Sequence, residues 1–191
     1  MARFLDIVFF FYFLTHIPIS LLVDFQSVLP LEYYPQQLID VKEWYCREFR
    51  DPMMVAAPTW FKSFVFCELL IQFPFFFIAV YGFFKGSKNC KWLRWPCVVY
   101  GSHVATTLIP ISAHILFYDF SNEKHPSPRN LNERLTLLGF YFPYLLVPVL
   151  LVLDSLFSSS YRTSSTQQSS TKQQPANKTA SPQQQKKKKV K

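Results

Sequence analysis

The sequence predicts an all-α membrane protein, a four-transmembrane-helix bundle with proline-kinked helices, on three observations. Half of the 191 residues are hydrophobic, including 21 Phe, 10 Tyr and 4 Trp. The apolar residues gather into four stretches, each long enough for the ~20 residues a bilayer crossing needs. Clusters of Lys and Arg fall between those stretches on alternate sides, which fixes an orientation.

The spans cover approximately residues 5–29, 60–84, 96–117 and 135–157, so residues 1–157 are expected to form one transmembrane domain. Each contains proline: Pro18, Pro74, Pro110, and the pair Pro143 and Pro148. Proline breaks a soluble helix, but a membrane helix tolerates it when neighbours satisfy the freed carbonyls. The first span, opening after Arg3, resembles a signal peptide. It is longer than an ordinary apolar signal core and ends QSVLPLEYYP without a small-residue cleavage site, so it is read as retained.

The loop KGSKNCKWLRW carries Lys85, Lys88, Lys91 and Arg94 and no acid, and the C-terminal tail is also basic. The first loop is acidic on balance, with Glu32, Asp40, Glu43, Glu48 and Asp51 against Lys42, Arg47 and Arg50. The second loop and both termini are therefore expected in the cytosol, and the first and third loops in the lumen. The formal net charge of +8 is concentrated near the C-terminus. That distribution gives no basic face for nucleic acid, which is not expected as a partner; membrane lipids are.

Residues 158–191, rich in Ser, Thr and Gln, are expected to be a disordered cytosolic tail. It closes on KKVK, with Lys188 and Lys189 spaced as a dilysine retrieval signal to the endoplasmic reticulum. The alternative for those lysines is a basic patch on anionic lipid. Cys46, Cys67, Cys90 and Cys97 show neither metal-ligand spacing nor a disulfide pattern, so no metal and no cofactor are expected. Within the first loop, LIDVKEWYCREF fits a short helix with Ile39, Trp44, Tyr45 and Phe49 on an apolar side. It is either a lid over the bundle or an interfacial helix anchored by its aromatics.

Polar residues inside the spans carry the chemistry, because carboxylates in hydrocarbon cost several kcal/mol. Asp24 lies near the lumenal end of span one and Glu68 two turns inside span two, with Gln72 one turn further on the same face. His16, then His103, Thr106 and Thr107, and then Tyr141 with Tyr144 fall at similar depth. Each has a plainer reading: Asp24 snorkels outward, the threonines bond their own helix carbonyls, the histidines bridge helices and the tyrosines pack. Together they fit a lumenal-side ligand pocket, apolar with a few orienting polar groups. Two close carboxylates in low dielectric cannot both ionise cheaply, so one is expected to hold a proton against its charged partner. Such a pair among aromatic rings suits a hydrophobic cation, and a neutral sterol-like hydroxyl can use the same groups. Asp51, before Pro52, is expected to hold the lumenal loop on the bundle, with Arg47 or Arg50 as partner.

YFLTHIPISLLVDFQSVLP, WYCREFRDP, WFKSFVFCELLIQFPFF, TTLIPI and ERLTLLGFYFPYLL closely resemble the sigma-2 receptor (transmembrane protein 97) family, in the group that includes the emopamil-binding sterol isomerase. The resemblance runs from Phe4 to Leu151. It implies an endoplasmic-reticulum protein, often a homodimer, that binds cationic amphiphiles and oxysterols and serves cholesterol trafficking beside a lysosomal sterol transporter. It also implies Asp24 as the counter-ion of the ligand, Glu68 as its hydrogen-bonded neighbour, and Asp51 as a structural aspartate. His16, Gln72, Thr107, Tyr141 and Tyr144 then line the pocket. A non-enzymatic receptor is expected, with no catalytic residues. The alternatives are a sterol Δ8–Δ7 isomerase, which needs an acid and a base around a stabilised cation, and a trafficking adaptor or chaperone. The isomerase's full His and paired-Glu arrangement is not found in matching helices.

Overall fold

The structure, a computed structural model, describes residues 3–161, and these are helical, with no strand among the described residues. The elements are α1 (Phe4–Leu22), α2 (Gln36–Phe49), α3 (Pro52–Ala56), α4 (Thr59–Cys67), α5 (Phe73–Lys85), α6 (Arg94–Phe117) and α7 (Leu131–Phe157). Lys188 and Lys189 lie outside the described residues.

Three helical stretches are long and apolar enough to cross a membrane: Phe4–Ser27, Thr59–Lys85 and Leu131–Phe157. Much of their apolar surface faces outward, as Phe11, Leu70, Phe84 and Phe142 do, a burden that lipid removes and water does not. The fourth expected span coincides with α6, whose 24 residues give ample length. Its Arg94, Ser102, His103, Thr106, Thr107 and His114 dilute its hydropathy, and it is not one of the three.

α6 packs most extensively on α7, and α1 on α5. Gly101 permits the first of these contacts: a Cβ there would stand 2.7 Å from the carbonyl oxygen of Pro148. α1, α6 and α7 continue through Pro18, Pro110, Pro143 and Pro148. At Pro74 the helix adjusts. Proline has no N–H for the carbonyl four residues earlier and its ring collides with it. Just upstream, Glu68–Gln72 forms a π-helical turn in which Phe73 N–H reaches back five residues to Glu68. Such widened turns recur at functional positions.

The expected first span does not continue as one α-helix. It stops at Leu22; Val23 leaves helical geometry and Asp24–Ser27 forms a 3₁₀ turn. The fourth begins at Leu131 rather than 135, because the Asn130 side chain accepts the Glu133 N–H at 3.0 Å and caps it. Residues 158–161, assigned to the tail, pack instead. Ser159–Tyr161 forms a turn with Ser160 and Tyr161 buried, and the Arg3 guanidinium lies 6.0 Å from the Tyr161 ring centre. At this end Arg3 also bridges Asp6 and Asp154, each at 2.8 Å, and donates to Ser158. Arg94 closes the same end by donating to the carbonyl of Ser155 at 3.0 Å.

Candidate functional site

At the opposite end of the bundle α1, α4, α6 and α7 enclose a cavity of about 310 Å³, roofed by α2 and α3. Its walls are mostly apolar and aromatic, including Phe61, Phe64, Val65, Leu108 and Ile111. That is the ordinary make-up of a small-molecule site, and the volume falls at the low end of the usual range of ~300–1,000 Å³.

All seven residues expected at the pocket line this one cavity: His16, Asp24, Glu68, Gln72, Thr107, Tyr141 and Tyr144. The break after Leu22 brings Asp24 there, turning its carboxylate off the helical track and into the cavity rather than toward the surface. Glu68 and Gln72 bracket the π-helical turn and so share a face. His16 is buried among rings, 4.7 Å from Phe76 and 4.9 Å from Tyr144 between centres. Thr107 is buried and spends its hydroxyl on its own helix, donating to Val104 at 2.9 Å. Thr106 does likewise to Ser102 on the exposed face, and neither it nor His103 reaches the cavity.

Glu68 accepts a hydrogen bond from the Ser20 hydroxyl of α1. His16 Nε2 lies 3.8 Å from Glu68 Oε1. One ligand atom each from His16, Asp24 and Glu68 all fall within 4.8 Å of one another. This is the one cluster of metal-ligand type among the described residues, and none of the four cysteines belongs to it. Its width suits a compact organic cation as well as an ion. Sequence reasoning missed Ser20, because the break after Leu22 takes Asp24 off the helix face on which Ser20 lies.

Asp51 sits in the cap over this site and is fully buried. Neither Arg47 nor Arg50 pairs with it; Arg50 instead bridges Glu133 at the start of α7 at 2.7 Å. Arginine could reach Asp51 only by being buried too, and four neutral donors do the work without that desolvation. Asp51 Oδ1 caps α3 by accepting from Met53 and Met54 N–H at 3.0 and 3.1 Å. Its Oδ2 accepts from Tyr141 at 2.7 Å and Tyr45 at 3.2 Å. Burial pushes the Asp51 carboxyl above the usual carboxylate range even though all four bonds pull it down. Burial, with Asp51 close by, raises the Tyr45 phenol as well. Tyr141 thus joins the cavity wall to the cap.

α2 covers the cavity: Val41, Trp44 and Tyr45 line it, while Phe49 packs 4.1 Å from Phe140 between ring centres. Ile39, expected on that same side, faces away.

Residues 37–155 match the family described as EXPERA (EXPanded EBP superfamily). The chain is 55% identical over 161 residues to sigma intracellular receptor 2 of Xenopus tropicalis, covering 84% of this chain and 93% of that protein. It is 51% identical over 154 residues to the Homo sapiens protein of the same name, covering 79% and 86%. A more distant relative is efficient mitochondria targeting-associated protein 19 of Saccharomyces cerevisiae, 26% identical over 147 residues, covering 72% and 89%.

Proposed function

Since the chain belongs to the EXPERA superfamily, and within it to the sigma intracellular receptor 2 family, we propose that it is a non-enzymatic intracellular membrane receptor for hydrophobic cationic amines and sterols, oxysterols included. One observation carries this reading: Asp24 and Glu68 face a single aromatic cavity otherwise poor in charge. The carboxylates supply the counter-charge for an ammonium, the rings of Tyr144 and Phe64 its cation–π surface, and the same oxygens a partner for a sterol hydroxyl. Sterol homeostasis or trafficking within endoplasmic-reticulum membranes is the role that suits such a ligand class.

The proposal includes four spans, with α6 as the third in chain order. Val99, Ile109 and Phe117 on α6 are 66%, 63% and 82% exposed, apolar side chains that suit lipid better than water, and Thr106 between them spends its hydroxyl on the Ser102 carbonyl. The pocket then opens at the lumenal end, with both termini cytosolic.

Asp24→Asn tests the receptor reading, because it keeps size and hydrogen bonding and removes charge. A charge-assisted hydrogen bond contributes about 1.5–3 kcal/mol, and a buried ammonium left without its counter-ion costs a few more. At about 1.4 kcal/mol per tenfold, amine affinity should fall at least ~100-fold. A neutral oxysterol should lose far less. Radioligand competition with one of each decides it; equal losses would show that Asp24 shapes the cavity rather than charging it. Against the isomerase reading, purified protein given a Δ8 sterol should show no double-bond shift. Turnover abolished by Glu68→Gln would reverse that conclusion.

A further inference from the structure

We propose that the cap carries a second ligand site, separate from the amine and sterol pocket, for a single-tailed amphiphile bearing one carboxylate. A cavity of about 370 Å³ lies among the turn after α1, the outer face of α2, the end of α3 and the segment before α7. It shares only Met54 with the first cavity. The division follows from helical periodicity. Val41, Trp44 and Tyr45 of α2 face the first cavity, whereas Ile39, Lys42, Glu43, Cys46 and Arg47, spaced i, i+3, i+4, i+7, i+8, form the opposite face and line the second.

The lining specifies the ligand. Leu31, Ile39, Val55 and Pro126 form an apolar wall, and two cations, Lys42 and Arg47, stand against one acid, Glu43. Lys42 is half-buried, yet its only hydrogen bond is to the Ser27 hydroxyl at 3.4 Å, and it forms no ion pair among the described residues. Burial lowers its pKa by more than the nearby Cys46, Asp24 and Asp51 raise it. Arg47 likewise makes no side-chain hydrogen bond or ion pair among the described residues. A lining with one net positive charge matches a monoanion better than a phosphate dianion. The planar guanidinium fork pairs with a carboxylate through two parallel bonds. The apolar wall takes the tail.

The test uses the full-length protein in nanodiscs and two photoreactive probes, decanoate and decanol, each carrying the same diazirine in its tail. Decanoate should label residues within 26–55 or around Pro126, several-fold more than decanol. Arg47→Gln removes an exposed side chain that does not touch the first cavity. It should cut decanoate labelling at least tenfold, the scale of one charge-assisted bond, with no change in thermal midpoint or amine binding. Val55→Trp fills the cavity from α3 without altering charge and should abolish labelling on its own. Equal labelling by both probes, labelling indifferent to both substitutions, or labels on α6 that an amine displaces would each overturn the second site.

Discussion

Asp51 closes four donors with one side chain, and two of them belong to tyrosines from different elements, Tyr45 and Tyr141. Asp51→Ala removes the cap of α3, at about 1 kcal/mol, and strands two hydroxyls at ~1–3 kcal/mol each. A loss of roughly 3 kcal/mol or more is expected in thermal or denaturant unfolding. Asp51→Asn keeps the cap and should lose less. The two differ in pH dependence. Because the folded-state carboxyl of Asp51 titrates above its unfolded value, the unfolded chain loses its proton first as pH rises. Stability from this group therefore falls from the unfolded value, near 4, up through the raised folded one. Unfolding of wild type and Asp51→Asn across pH 4 to 7 should show wild type losing ground to the variant. Parallel curves would place the charge of Asp51 in a solvated setting. The carboxylate itself was legible from Asp-Pro in the sequence; its partners were not, because the nearest arginines in sequence are turned outward toward Glu133 and solvent.

Among the helices, α6 and α7 depend on the absence of one side chain. A Cβ at Gly101 meets both Pro148 O at 2.7 Å and Val152 Cγ2 at 2.6 Å, and the former is backbone, which cannot step aside. Gly101→Val should force the helices apart and destabilise by a few kcal/mol, in the range for overpacking (about 1–3). Gly139, on α7, has nothing within 4 Å of the corresponding position. Gly139→Ala should therefore be neutral or gain up to about 1 kcal/mol from helix propensity. A matched pair of melting curves checks both; similar effects at the two glycines would show that α6 and α7 do not approach as described. The helices were readable from apolar stretches and the proline positions, but the two departures that build the site were not. Pro74 announces a disturbance without saying that it widens the turn at Glu68, and nothing local marks Val23 as the end of α1.

Across the whole molecule, polar networks tie each end together. Arg3, Asp6, Asp154 and Arg94 close one, and Arg50 with Glu133 joins the cap to α7 at the other. If α6 spans with the other helices, the exposed positions Glu48 and Lys124 must share one side of the membrane and Lys88 must lie on the other. Single cysteines at these positions in a cysteine-free background, treated with an impermeant thiol reagent on sealed microsomes, should label accordingly. Lys88→Cys should react from outside, and the other two only after permeabilisation. Reaction of Lys124→Cys together with Lys88→Cys from outside, with Glu48→Cys still protected, would remove α6 from the set of spans. The native thiols Cys46 and Cys90 cannot serve, being 5% and 6% exposed.

The sequence by itself determined the helical class, the places where apolar stretches begin and end, the family, and the polar residues that share a depth. Hydrocarbon makes those features local: a charge or a missing N–H there is costly wherever the helix goes. Only the tertiary structure decided how those residues face one another. Ser20 bonds Glu68, Tyr141 reaches from the cavity to Asp51, and α2 turns one face to each of two cavities. Those pairings join residues up to 90 positions apart. They are set by how α1, the π-helical turn, the cap and α7 pack, which no stretch of the chain encodes alone.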